Sequence, residues 1–384
     1  MAASVELGIL GMDSFHFFVQ RPERSYRFYA DGLGWQPTWR SSDQMTNATG
    51  QRSTVYEGGG IKVVVSTPER DTCRAARYLS RHPAGIGSLT FEVEDIERAW
   101  SFLIGREATP IHAIRDTQTE DGGLFRHFSI TTAFGDVSFR FMERRDTECF
   151  APGFEAVTSK SAQRPFNFIK VDHITSNAPT MAAPKLWMEH VLGMEQCWDI
   201  AFHTEDIQAG GDSGTGLRSV VMWDPKSGLK FPVNEPLQPF FKEGQINKFV
   251  EDNHGSGIQH IALEVDNVVE AVRTLRQNQV GFLNTPDVYY KSTPARLAER
   301  GVNVDNLAHR LDELHELRIL IDGKPVDNYL IQVFMTDAMS LYNEPEAGPF
   351  FYELIQRCGD DGFGEGNFRA LFEAIERAQD EDEP

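Results

Sequence analysis

Apolar and polar positions along this chain fall into short runs, and the runs recur in one order. Met12–Trp35 reads MDSFHFFVQRPERSYRFYADGLGW, and Val171–Met194 reads VDHITSNAPTMAAPKLWMEHVLGM. In each, an apolar segment predicts a strand, and aromatic or Met residues after a Pro-bearing loop predict a helix. An LG pair predicts the stop, because glycine best takes the left-handed conformation past a last helical turn. Aligned at Gly34 and Gly193, the offset is 193 − 34 = 159. A second echo pairs Gly85–Val93 (GIGSLTFEV) with Gly257–Val265 (GIQHIALEV), offset 260 − 88 = 172. Helical spacing follows both, over Glu94–Leu103 and Asn267–Leu275. A third echo pairs Phe139–Arg144 (FRFMER) with Tyr352–Arg357 (YELIQR), offset 357 − 144 = 213. Further strands are predicted at Thr54–Tyr56, Ile61–Ser66, Ser219–Trp223 and Leu229–Val233.

The pattern therefore reads as an α+β chain of two tandem domains, each made of paired βαβββ units. The expected division is 1–150, a linker at 151–168 rich in Pro, Ser and Gly, and 169–384.

The copies differ where chemistry would sit. His173 falls opposite Ser14, His260 opposite Ser88, and Glu353 opposite Arg140. The second half thus has two imidazoles and a carboxylate where the first has two hydroxyls and a guanidinium. A lone histidine on a strand is ordinarily a core or edge residue, and nine others compete here. Glu353 stands out because it interrupts an apolar strand, FFYELIQ, sharing a face with Phe351 and Ile355. An unpaired carboxylate on such a face is costly and wants a partner. Two His and one carboxylate on separate strands suit an Fe(II) facial site with three open positions. Zinc uses the same donor set, although the usual H-E-x-x-H helix is absent. The first half reads as structural and metal-free.

Composition narrows the partners. With 57 acidic against 37 basic residues, the formal charge is −20, which argues against nucleic acid. No run of apolar residues is long enough for a membrane span, and the N-terminus lacks a secretory pattern. Four scattered cysteines (Cys73, Cys149, Cys197, Cys358) show no disulfide or metal spacing, so a reducing, cytoplasmic setting is expected. A homo-oligomer, dimer or tetramer, is expected. DEDEP at the end reads as a solvated tail.

The words VDHITSN, NEPL, GSGIQHIALEV, YLIQVF, FFYELIQR and GFGEGNFRALFEAIE together resemble the 4-hydroxyphenylpyruvate dioxygenase family of the vicinal oxygen chelate superfamily. The resemblance covers nearly all of 165–379; the first half matches in layout only. It implies that each domain is an open mixed-sheet barrel around a pocket. It also implies that His173, His260 and Glu353 hold one Fe(II) per chain. By the same resemblance Ser219, Asn234, Gln245, Gln259, Gln332 and Asn367 are polar pocket residues, and Phe334, Phe351, Phe363 and Phe368 its aromatic lining. Amides and hydroxyls offer both donors and acceptors, and aromatic faces suit an aryl ring. The implied partners are 4-hydroxyphenylpyruvate and dioxygen, and the implied products homogentisate and CO2, in tyrosine degradation. The rivals are 4-hydroxymandelate synthase, extradiol cleavage of a catechol, and a binding protein of the superfamily that turns nothing over.

Asn367–Gln379 has Phe368, Leu371, Phe372 and Ile375 at helical spacing. In the resembled family such a helix gates the site, with GFGEG as a candidate hinge. The segment VFMTDAMSLYNEPEAGP departs from the family's shorter loop, which leaves its local structure open.

Overall fold

A computed structural model describes residues 2–158, 164–203, 216–237, 244–326 and 328–367. Nine strands of the first half are β1 (Ile9–Phe18), β2 (Gln36–Ser41), β3 (Gln51–Gly58), β4 (Ile61–Pro68), β5 (Gly85–Val93), β6 (Pro110–Gln118), β7 (Leu124–Thr131), β8 (Ser138–Arg145) and β9 (Phe154–Ala156). They form one sheet in the order β6-β7-β8-β5-β1-β4-β3-β2-β9. Eight of the second half are β10 (Phe168–Asn177), β11 (Glu195–His203), β12 (Gly216–Trp223), β13 (Lys230–Pro236), β14 (Gly257–Val265), β15 (Leu320–Lys324), β16 (Asn328–Phe334) and β17 (Phe351–Cys358). Their order is β11-β12-β13-β10-β14-β17-β16-β15. With β9 set aside, the second order repeats the first in mirrored direction. Pairs β1/β4, β5/β8, β10/β13 and β14/β17 are parallel and the rest antiparallel, so both sheets are mixed. Each curls into a half-barrel of two βαβββ units, as the repeats predicted.

Strand register confirms the correspondence between halves. Ser14 pairs with Thr90, and Thr90 with Arg140. In the second half His173 pairs with Ala262, and Ala262 with Glu353. The three differing positions thus sit at equivalent points of two sheets.

The helices start slightly later than their periodicity suggested, because the first polar residue is a cap. Asp95 accepts from Glu97 N and Arg98 N at 2.9 and 3.0 Å, and the helix runs Ile96–Gly105. Asn267 accepts from Glu270 N, and the helix runs Val268–Gln277. Both bury one apolar face: Ile96, Ala99 and Leu103 in the first, Val268, Ala271, Val272 and Leu275 in the second. After the Pro-bearing loops, Pro22–Tyr26 and Ala182–Trp187 each widen into a π turn, Arg27–Gly32 and Met188–Leu192. Period reading did not foresee that shared widening. Gly193 then takes φ +69°, the predicted stop.

Three details depart from expectation. The segment expected to be a linker contributes β9, which pairs with β2 at the sheet edge. Between β14 and β15 the second half adds two helices without counterparts in the first, Asp287–Glu299 and Leu311–Glu316, packed beside β15. The segment after Phe334 folds as a short helix, Ala338–Tyr342, and a 3-10 turn, Pro345–Ala347. It docks on the first half, where Glu344 binds Arg24 at 2.7 Å and Glu346 O accepts from Ala84 N at 3.0 Å.

One hydrophobic core runs through both halves, from Leu7, Trp35 and Phe91 to Phe231, Leu263 and Leu354. Tyr29 and Tyr352 share a buried hydroxyl bond of 2.8 Å across it. No helix among the described residues is long and apolar enough to cross a membrane.

Candidate metal centre and pocket

His173, His260 and Glu353 come from three neighbouring strands, β10, β14 and β17. Ala262, fully buried, lies between His173 and Glu353 in register, and its small side chain leaves space between them. His260 sits two residues earlier on the same face of β14. Both imidazole Nε2 atoms lie 3.5 Å from Glu353 Oε2, and all three ligand atoms fall within 4.8 Å of one another. Among the described residues no other group of His, Cys, Asp and Glu has this geometry.

The surroundings orient these groups. His173 Nδ1–H donates to Asp172 Oδ1 at 2.8 Å, which leaves Nε2 as the free lone pair. Asp172 is gripped by Arg357 through two bonds, Nε to Oδ2 at 2.6 Å and Nη2 to Oδ1 at 2.7 Å. Arg357 in turn donates to Asp360 O and Gly362 O at 2.8 and 2.9 Å. His260 Nδ1–H donates to Gln259 Oε1 at 3.1 Å. Burial opposes charge on His173, but Glu353 and Asp172 outweigh it and raise its pKa to about 9 without metal. Burial, reinforced by His173, pushes His260 well down. Burial would raise Asp172, yet Arg357 and His173 hold it well below the usual carboxylate range.

The donor set fits a divalent metal. His260 Nε2 and Glu353 Oε1 are buried with no hydrogen-bond partner among the described residues. Such atoms are costly to bury unmatched, and a cation at the centre of the triad satisfies both.

A cavity of about 280 Å³ opens beside the triad. Of the expected pocket residues, Asn234, Gln245, Gln259, Gln332, Phe334, Phe351 and Asn367 line it, together with His260. Phe351 stacks on the His260 ring at 5.0 Å, and Phe334 stands edge-on to Phe351 at 6.1 Å. Ser219 is buried and pairs with Asn234 across β12 and β13, one step behind the wall. Asn234 is therefore a strand residue rather than a turn cap; its Nδ2 donates to Asn177 Oδ1 at 3.0 Å. Phe363 packs against His173 at 5.4 Å and Trp198 at 5.5 Å, on the other side of the metal ligands. Phe368 lies outside the described residues, as does the predicted gating helix beyond Asn367.

Gln332 Oε1 and Asn367 Nδ2 face the cavity without partners among the described residues, one acceptor and one donor. Tyr289 OH donates to Asn367 Oδ1 at 2.5 Å and so aims the amide. Gly364, at φ +68°, passes so close that a Cβ would stand 2.7 Å from Gln332 Oε1. In GFGEG this glycine is favoured by its left-handed φ, since the nearby Gln332 amide is the flexible end of a side chain. Sequence reasoning missed Arg318, Asn284 and Thr285, which also line the wall. They lie in the added stretch between β14 and β15, for which the repeat offers no counterpart.

The model of the Glyoxalase/Bleomycin resistance protein/Dioxygenase superfamily matches residues 11–135 and 170–299. A 4-hydroxyphenylpyruvate dioxygenase of Dictyostelium discoideum is 31% identical over 386 residues, covering 96% of this chain and 98% of the relative. One from Caenorhabditis elegans is 29% identical over 387 residues, covering 96% and 92%. Among solved structures, a triple mutant of 4-hydroxymandelate synthase from Streptomyces coelicolor matches with TM-score 0.77 and 24% identity, covering 97% of this chain and 99% of that one. That last likeness concerns the fold.

Proposed function

The chain belongs to the 4-hydroxyphenylpyruvate dioxygenase family of the glyoxalase and dioxygenase superfamily, and from that membership we propose that it converts 4-hydroxyphenylpyruvate and dioxygen to homogentisate and CO2. The observation that carries the reading is the buried triad with unmatched His260 Nε2 and Glu353 Oε1, opening on an aromatic and amide-lined cavity.

In this proposal His173, His260 and Glu353 hold one Fe(II) per chain. When bound, the ion supplies Lewis acidity and redox chemistry at open positions, which oxidative decarboxylation of a 2-oxo acid by dioxygen requires. The chain's own residues do the rest. Asp172 and Arg357 fix the plane and tautomer of His173, and Gln259 does the same for His260. Phe351 and Phe334 offer faces to an aryl ring. Gln332, Asn234, Gln245 and Asn367 offer acceptors and donors to a phenol hydroxyl, which holds the ring in one orientation. The buried walls keep bulk water out. Ser219 stands beside Asn234 across the strand pair, Phe363 is proposed to close the side away from Phe351, and Phe368 remains an aromatic lining residue by family resemblance only.

The proposed division of labour is 1–150 without metal, 151–168 joining, and 169–384 carrying the site. Assembly as a dimer or tetramer and a cytoplasmic location are part of the same proposal; light scattering checks the first.

The synthase-like reading shares substrate and metal set, and its product is an isomer of homogentisate, so mass alone does not separate them. Incubation of the iron-loaded protein with 4-hydroxyphenylpyruvate, followed by chromatography against both standards, is expected to give homogentisate with one dioxygen consumed per turnover. Hydroxymandelate as the only product would overturn the proposal.

A further inference from the structure

The inner face of the first half-barrel is polar, and two guanidiniums on it have no ion-pair partner among the described residues. Strand register places Ser14, His16, Ser88, Thr90, Ser138 and Arg140 on that face. Ser53 and Ser66 pair on β3 and β4 at the positions that Ser219 and Asn234 occupy on β12 and β13. The first half therefore repeats the layout of the catalytic pocket, with Arg140 where Glu353 stands.

Arg140 makes no hydrogen bond or ion pair among the described residues, and its Nε is buried and unmatched. Arg74 reaches the same space from the helix Arg74–Leu79. It donates only to neutral oxygens, Gly87 O at 2.9 Å and Ser138 Oγ at 2.7 Å. Ser138 Oγ continues to Ser88 Oγ at 3.2 Å. Arg74, Arg140, His16 and His127 all keep partial accessibility. Among the described residues no nearby carboxylate forms an ion pair with either guanidinium; burial and Arg115 disfavour the charge on Arg140, and Asp13 offsets it only from a distance. Asp13 is committed to Arg144 at 2.6 Å and to Ser14 Oγ at 2.8 Å, Asp116 to Arg126, and Glu92 on the same face bonds neither guanidinium. Electrostatics agree: burial first, and then Arg74 and Arg140, push His16 well down. Burial and then Arg140 hold His127 down.

A guanidinium does not shed its proton, and partly withdrawing it from water without a paired counter-charge is unfavourable. Two such groups sharing one space with hydroxyl donors is an arrangement that an anion relieves. We propose that the first half-barrel is a binding site for a compact oxyanion, a small carboxylate or phosphate, held by Arg140 and Arg74 with Ser88 and Ser138. The site is the structural counterpart of the metal centre with its charge inverted. Hydroxyls and imidazoles dominate its walls, with the Phe18 ring packed against His16 at 4.5 Å and beneath Arg74 at 5.5 Å.

The test titrates the iron-loaded full chain with acetate and, separately, with phosphate at constant ionic strength. Binding is followed by guanidinium Nε–H resonances and by thermal melting. Saturable binding of at least one anion is expected in the wild type, about tenfold or more weaker in Arg140→Met and retained in Glu353→Gln. Acetate and phosphate midpoints tell which source of oxyanion the site prefers. Absence of saturable binding by either anion, or equal binding in Arg140→Met, overturns the proposal. Loss in Glu353→Gln with retention in Arg140→Met overturns it too, since the anion would then sit on the metal. Should Arg140→Met fail to fold, Arg74→Met carries the same prediction.

Discussion

Asp172 is the residue whose importance the sequence least advertises. It stands next to the candidate ligand His173 in VDHI, yet nothing in its spacing shows that it bridges His173 to Arg357, 185 positions away. Replacing it with Asn keeps the shape and removes the charge that holds the His173 ring. Asp172→Asn is expected to weaken metal binding roughly 10- to 100-fold while the fold stays intact, as read by metal titration and circular dichroism. Glu353→Ala goes further: stoichiometric iron and turnover are both expected to vanish while circular dichroism shows the fold largely intact, with a melting curve like that of the metal-stripped wild type. Full retention of iron in that variant would count against the triad. The three candidate ligands were legible as a group because the repeat isolated them, and the strands do bring them together. Arg318 and Tyr289 were not legible, because an aiming residue is defined by a through-space contact that no period encodes. His127 supplies a pH test in the first half. Burial, with Arg140 next, lowers its pKa from 6.5 to about 3. As pH falls below 6.5 the unfolded chain takes a proton that the folded one refuses, so stability falls until about pH 3. His127→Gln removes that contribution. The drop in denaturant midpoint between pH 7 and pH 4 is expected to be smaller in the variant.

At the scale of elements, strands and helices were readable from short-period runs and the paired βαβββ order from where the echoes begin, whereas the curl into half-barrels came from the family resemblance. What escaped were elements defined by context. β9 is three residues in a stretch rich in turn formers, and it is a strand only because β2 offers an open edge. The π turns of Arg27–Gly32 and Met188–Leu192 differ from α-helix by one hydrogen-bond step, below the resolution of hydrophobic spacing. The turn between β3 and β4 shows how one element constrains its neighbour. Gly59 has φ +61°, and a Cβ there would stand 1.9 Å from Phe168 O, at the start of β10. Gly59→Ala is expected to destabilise the protein by about 1 kcal/mol for the backbone alone and more for the clash. A chemical-denaturation curve would show it. An unchanged midpoint would mean that β10 has room to retreat.

For the whole molecule, the continuous core makes the two halves one folding unit. Residues 165–384 expressed alone would expose the faces that pack on Trp35, Phe91 and Tyr29, so that fragment is expected to aggregate or to melt non-cooperatively. Tyr29→Phe leaves the Tyr352 hydroxyl unmatched across the seam and is expected to cost about 1–2 kcal/mol with little change in kcat. The seam itself was not legible in the sequence, because apolar strands read alike whether they face their own domain or the other. The spacing of the metal ligands also bears on the order of events during synthesis and decay. They are separated by 260 − 173 = 87 and 353 − 260 = 93 positions, and only strand pairing brings them together. An ion held by all three ties two long loops, so it must load after β10, β14 and β17 have met, and it lengthens the life of the folded state once there. Loaded and stripped protein should therefore share a refolding rate and differ in how fast they come apart.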